Sequence, residues 1–480
     1  MSGSDSESTM SRKPRTIVLC FDGTAGHYDA TNSNVVKLFS LFQKDTNEQL
    51  AYYQASLLAE CEAGVGTYFS PGTVSPLFMW FAKLMDEAFA WYLDAHVMQG
   101  YQYLMNNYRE GDKICLFGFS RGAYTARALA GMLNKVGLIP RFNIQQVSFA
   151  YKLYKRTDKQ GKILAAGFKQ TFSRDVRVDF VGVWDTVQST GILMNRSLPF
   201  TDSNTSIRTF RQALALDEHR AKFRPNLYHR LDPDKVNAGL DPEHASGSFF
   251  LKFKTKMHNK VGTLKSKSGK KGPKCDRKKC SSGKEQMTVT INDERACIRT
   301  EDDILTRDDI IIRVVEEEAP TAPTPPAATD VLEVWFSGCH TDIGGGAVQD
   351  DVKTSLSHIT LQWMVEQIVA SQCGILFDND ALERNGPTPS PELSDALAQM
   401  HDELQMQKLW WLLEIIPLDF AWQGPDGLWH KTWSIHLGRG RYIPDPIPKF
   451  HYTVKDRMDD KTLNYKPRAV YENGKECFVG

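Results

Sequence analysis

The chain lacks a net charge: 58 Lys and Arg face 58 Asp and Glu across 480 residues. No global field draws it toward nucleic acid, so no specific nucleic-acid partner is expected. A membrane-spanning run is missing as well. The longest greasy stretch, Trp410–Trp422, is broken by Glu414, Pro417 and Asp419, which leaves it too short and too charged to cross a bilayer. The nine cysteines are odd in number and lack paired spacing, which argues against a disulfide framework. With no apolar run after Met1, these features predict a reducing, intracellular and cytoplasmic setting. Metal signals are thin. Cys275 and Cys280 flank four residues with no second Cys or His pair nearby, so neither a metal nor a cofactor is expected.

What the chain does have is a serine at a strand-to-helix turn. A short apolar run beginning at Lys113 reads as a strand, Gly118-Phe119-Ser120-Arg121-Gly122 interrupts it, and an Ala-rich helical run follows to Gly137. A serine hydroxyl attacks well only when it is exposed, aimed and hydrogen-bonded to a base. A tight turn aims it, and Gly118 and Gly122 let neighbouring backbone crowd in. The competing reading is an ordinary turn with Ser as a helix cap.

A nucleophile needs a base and an orienting acid, and two further strand ends supply candidates. Val176–Val183 runs into Trp184-Asp185-Thr186, and Val331–Phe336 runs into Ser337-Gly338-Cys339-His340-Thr341-Asp342 and three glycines. Ser120, Asp185 and His340 each follow the carboxyl end of a strand, the edge where open α/β sheets bind ligands. Their chain order, Ser then Asp then His, is that of α/β-hydrolases. His27, His219, His436 and His451 rival His340 but follow no comparable strand. Asp342 is read as a brace for its loop. After the strand Thr16–Phe21, Asp22-Gly23-Thr24 allows close backbone approach. The N–H of Gly23 or Thr24, with that of Arg121, is expected to form an oxyanion hole, with Asp22 in support. A phosphatase reading of Asp-Gly-Thr fails because Cys20 stands where the nucleophilic aspartate would be.

These pieces, together with Asn34-Val35, Gly64–Thr67, Ala215–Glu218 and Trp335–Gly346, resemble one family in order and spacing. It is the α/β-hydrolase family of unknown-function domains that includes the catalytic domain of type VI secretion phospholipase effectors, in its fungal branch. The resemblance implies an α/β-hydrolase fold, a Ser-Asp-His triad and phospholipase activity. Its motifs map onto Ser120, Asp185 and His340. The chain departs from the family at Ala55–Ala63, which intervenes before Gly64 as either a genuine loop or a gene-model artefact.

A second departure is the stretch between Glu243 and Val331. Residues 252–284 hold thirteen Lys and Arg against the single acid Asp276, and an Ala/Pro/Thr-rich tract closes the segment. Low apolar content predicts a disordered insertion at about 252–328 rather than a domain. A basic face for anionic membrane is the functional alternative. The expected organisation is a disordered tail at 1–14, a catalytic domain at 15–365 with a mostly parallel sheet flanked by helices, and a helical, Trp-rich cap at 366–480. Trp410, Trp411, Phe420, Trp422, Trp429 and Trp433 in that cap suit packing on the sheet, an acyl-chain pocket or a membrane face.

The combined expectation is a serine hydrolase cleaving lipid or carboxylic esters, phospholipase- or esterase-like, through an acyl-enzyme. A thioesterase or peptidase with the same triad, and a silent scaffold whose Lys-rich insertion binds anionic membrane or RNA, stay as alternatives. Oligomeric state, headgroup and chain preference are not legible.

Overall fold

The computed structural model describes residues 13–23, 28–44, 46–55, 93–187, 206–228, 328–386, 393–423 and 429–480. Among these residues, eight strands form one sheet in the order β10-β9-β6-β5-β4-β3-β1-β2. In chain order the first six are β1 (Thr16–Phe21), β2 (Gln49–Gln54), β3 (Lys113–Phe119), β4 (Val178–Trp184), β5 (Ile207–Ala215) and β6 (Asp330–Phe336). Every neighbouring pair in the sheet runs parallel. This is an α/β fold.

The strand sequences explain the layering. All six residues of β1 are buried, as a parallel strand covered on both faces requires. Alternate side chains then divide between two cores. Ile17, Leu19, Phe21, Ile114 and Leu116 pack on one face with the helix Arg121–Val136, whereas Val18, Cys20, Cys115, Phe117 and Phe119 pack on the other with the helix Leu356–Ser371. The helix Arg121–Val136 is buried along nearly its whole length, which its small residues Gly122, Ala123, Ala126 and Ala130 permit.

β1 is the point where the chain reverses its direction across the sheet. β2 lies on one side of it and every later strand of this sheet lies on the other. A crevice opens at the carboxyl ends of β1 and β3 in such an arrangement. Gly23 and Ser120 both follow those ends.

The carboxyl-terminal region departs from the expected helical cap. β9 (Lys449–His451) and β10 (Cys477–Val479) extend the main sheet beyond β6, and β7 (Leu418–Gln423) with β8 (Trp429–Ser434) forms a separate antiparallel pair. Three-residue strands are too short to show alternation, and the aromatic runs around Trp422 and Trp433 have the strand propensity that a helical reading overlooked. The boundary expected at 365 also falls inside the helix Leu356–Ser371. Within the region expected to be a helical cap, Leu393–Met406 holds only two short helices, Leu393–Ala396 and Glu403–Met406. The amino-terminal tail, apart from its last residues, most of the Ala55–Ala63 stretch and the Lys-rich insertion lie outside the described residues. Among the described residues, no helix is long and apolar enough to cross a membrane.

Candidate active site

Ser120 sits between β3 and its helix at φ 57°, ψ −120°. An L-residue reaches that region only when its surroundings enforce it, at a cost of about 1–3 kcal/mol. Two glycines make the enforcement feasible. A Cβ on Gly122 would stand 2.1 Å from the Phe21 carbonyl oxygen, and one on Gly118 would stand 2.5 Å from the Gly122 carbonyl carbon. The turn therefore closes against β1 backbone, and the Ser120 N–H donates to the Trp184 carbonyl at 3.1 Å. The serine is held from both sides. Arg121 opens the helix, where first-turn N–H groups point out of the helix N-terminus.

Asp185 follows β4 with φ 40°, a conformation that Asp tolerates better than most residues. His340 begins the short helix His340–Gly344 after β6. The structure brings these two together: His340 Nδ1 lies 2.6 Å from Asp185 Oδ2, with both residues buried. Burial would raise the Asp185 carboxyl, but Arg441 and His340 outweigh it and hold the group well below the usual carboxylate range. An ionised Asp185 only accepts, so Nδ1 carries the proton and Nε2 is left as the basic nitrogen. Burial lowers the His340 pKa below its ordinary value against the opposing pull of Asp185.

The imidazole is fixed by rings as well. Phe119, the residue before Ser120, lies 4.6 Å from it between centroids, and Phe223 meets it edge-on at 4.8 Å. Trp410 in turn packs edge-on against Phe223 at 5.4 Å, one of the contacts by which the carboxyl-terminal region reaches the site. Trp411 and Trp433 are instead exposed, whereas Phe420, Trp422 and Trp429 have side chains outside the described set.

Asp22 accepts from Ser33 Oγ at 2.8 and 2.9 Å, from Tyr53 OH at 2.8 Å and from the Gly23 N–H at 2.7 Å. Gly23 lies beside the Ser120 turn, where its Cβ would stand 3.6 Å from Ser120 Cβ, yet its N–H is committed to Asp22. Of the two donors expected after β1, that leaves Thr24, which is outside the described residues. Asp342 accepts from the Cys339 N–H at 2.9 Å and bonds His401 through Nδ1 at 2.7 Å. It braces the loop that presents His340.

A family described as "T6SS, Phospholipase effector Tle1-like, catalytic domain" matches residues 15–367. The chain belongs to this family. Membership in the Tle1-like phospholipase effector family points to lipid ester hydrolysis. The uncharacterized protein YEL023C of Saccharomyces cerevisiae is 26% identical over 571 residues, covering 98% of this chain and 83% of that one. Two solved structures are similar in part. An uncharacterized protein from Pseudomonas aeruginosa is 16% identical with a TM-score of 0.35, covering 82% of this chain and 52% of that one. The Tle1 effector bound to the VgrG spike of the type 6 secretion system is 17% identical with a TM-score of 0.25, covering 46% and 48%. The chain thus spans about half the length of the solved structures it matches.

Three residues around this candidate site were not named as site residues from the sequence. Arg441 chelates Asp185, with Nη1 at 2.6 Å from Oδ1 and Nη2 at 2.9 Å from Oδ2. Glu218 accepts the His340 N–H at 3.3 Å and pairs with Arg220 at 2.8 Å. Arg220 lies over the Phe223 ring, 3.5 Å from its centroid. The Ala215–Glu218 motif marked the end of β5 and pointed to that neighbourhood. Nothing local marks Arg441, which comes from a Gly-rich segment 256 residues after Asp185. Among the described residues, no group of three or more His, Cys, Asp or Glu is placed to hold a metal ion.

Proposed function

We propose that this protein is a serine hydrolase that cleaves carboxylic esters of lipids by acyl transfer to Ser120. His340 Nε2 takes the serine proton as Oγ adds to the ester carbonyl, then gives that proton to the departing alkoxide. Water repeats the two transfers in reverse roles to release the fatty acid and restore Ser120. Asp185 keeps the imidazole in the Nδ1–H tautomer and stabilises its cation. The backbone N–H groups of Arg121 and Thr24 are assigned to the oxyanion, Gly23 being engaged with Asp22. The observation that carries this reading is the 2.6 Å Asp185–His340 bond next to a serine in a left-handed turn conformation at the same sheet edge.

Contact with a lipid surface belongs to the same reading. Trp411, Leu412, Ile415, Ile435 and Leu437 are exposed, and the Leu437 N–H bonds the Glu414 carbonyl, which joins the two segments that carry them. Indole and aliphatic groups of this kind favour the boundary of a bilayer. Hydrolysis of a panel of phospholipid vesicles and short-chain esters by wild type and Ser120→Ala tests the proposal. Ester cleavage by the wild type alone supports it, and equal cleavage by both proteins removes Ser120 from the mechanism.

A further inference from the structure

Arg441 is a side chain with no remaining freedom. Its guanidinium has five N–H donors. Nη1 bonds Asp185 Oδ1 at 2.6 Å and the Ala215 carbonyl at 3.1 Å; Nη2 bonds Asp185 Oδ2 at 2.9 Å and the Phe223 carbonyl; Nε bonds the Phe223 carbonyl at 3.1 Å. The side chain is 3% exposed and the Asp185 carboxylate fully buried. Two of the groups that steady His340 therefore hang on one residue. Asp185 bonds the imidazole Nδ1, and Phe223 packs its ring edge-on against the same imidazole.

We propose that Arg441 is a positioning residue of the hydrolytic site: it fixes Asp185 and Phe223 around His340, and its charge sets the pH range over which the imidazole acts as a base. This inference rests on the triad reading above. A carboxylate chelated by guanidinium pulls less strongly on an imidazolium than a bare carboxylate does, because the cation on its far side offsets part of its charge.

The other groups facing His340 leave that offset intact. Glu218, beyond β5, accepts the His340 N–H but is itself paired with Arg220. Asp342, on the histidine's own helix, bonds the Cys339 N–H and His401. Burial pushes the Cys339 thiol up, so it stays uncharged. Phe119 and the Ser120 hydroxyl contribute no charge. Three carboxylates and two guanidiniums thus surround the imidazole, and deleting Arg441 removes one positive charge from that set. The imidazolium would then be favoured, and the pH at which activity appears would rise.

The test is the pH profile of kcat/KM on a soluble short-chain ester for wild type, Arg441→Lys and Arg441→Met. The Met variant should move the acid limb upward by roughly one to two pH units. The Lys variant keeps the charge and should leave the limb within a few tenths of a unit. It has three donors for five acceptor contacts, so its plateau kcat should fall about tenfold or more. A folded Met variant whose acid limb coincides with wild type overturns the electrostatic role. Should the Met variant not fold, the Lys variant decides alone: an unchanged kcat overturns the positioning role, and a lowered kcat on an unmoved limb upholds it. Failure of the triad reading looks different, as full activity in Ser120→Ala whatever Arg441 does.

Discussion

Replacing Asp185 with Asn tests the buried core of the site in two measurements at once. The carboxylate accepts four hydrogen bonds, from His340 Nδ1, Arg441 Nη1 and Nη2, and the Ala215 N–H. Asn keeps the shape but offers one carbonyl oxygen, and its NH2 must face donors on Arg441 or the imidazole. Arg441 would then be a buried cation without its counter-ion, for which the stability loss is about 3–5 kcal/mol. The imidazole would turn to the tautomer that protonates Nε2, removing the base from the nucleophile. The expected fall in kcat/KM is on the order of 10⁴, as in the worked serine-protease case. Urea unfolding monitored by fluorescence reads the first effect, and hydrolysis of a short-chain ester reads the second. The carboxyl is ionised more readily folded than unfolded. It therefore stabilises the fold above the ordinary carboxylate pKa of about 3.9, and that stability drains away as pH falls through its depressed folded value. The gap between wild type and variant should accordingly be full at neutral pH and narrow below about pH 4. Retention of kcat/KM within about tenfold, ~1.4 kcal/mol, would refute the reasoning. The replacement acid would then be sought in Glu218, since Asp179 bonds the Ile114 N–H at the opposite end of β3 and Asp342 is tied to His401.

Gly122→Ala should lose about 3 kcal/mol in the same unfolding assay, because its Cβ would meet two rigid backbone oxygens, of Phe21 at 2.1 Å and Asp22 at 2.4 Å. A neutral substitution there would contradict the closeness of the turn to β1. The lowered His340 pKa predicts that the acid limb of wild-type kcat/KM falls below the ordinary histidine value of about 6.5, and a limb above 7 would contradict it. Deleting residues 252–328 and joining the ends with a short Gly/Ser linker should leave folding and soluble-ester hydrolysis intact, because closure cost rises slowly with loop length. An unfolded deletion protein would show that the Lys-rich segment is structural.

The sheet was readable because its strands are buried on both faces. β1 begins and ends at the residues expected from its apolar run, β3 runs on through Gly118 and Phe119 of the turn motif expected to interrupt it, and β4 and β6 differ from expectation by two residues or fewer at each end. The pairing of Asp185 with His340 was readable because both follow such strands. Arg441 was not, since the second Arg of Gly438-Arg439-Gly440-Arg441-Tyr442 carries no local pattern and its role exists only once β5, the Phe223 segment and the carboxyl-terminal chain converge. β9 and β10 were missed because three residues are too few to alternate. The engagement of the Gly23 N–H with Asp22 was equally hidden, because a side chain folding back onto its neighbour's amide leaves no trace in residue spacing.

The most direct test of the central claim is to label the wild-type protein with a fluorophosphonate and map the adduct by peptide mass spectrometry. The account predicts a single phosphonylated residue, Ser120, with labelling lost in both Ser120→Ala and His340→Ala. An unlabelled wild type, or an adduct on another serine, would contradict it.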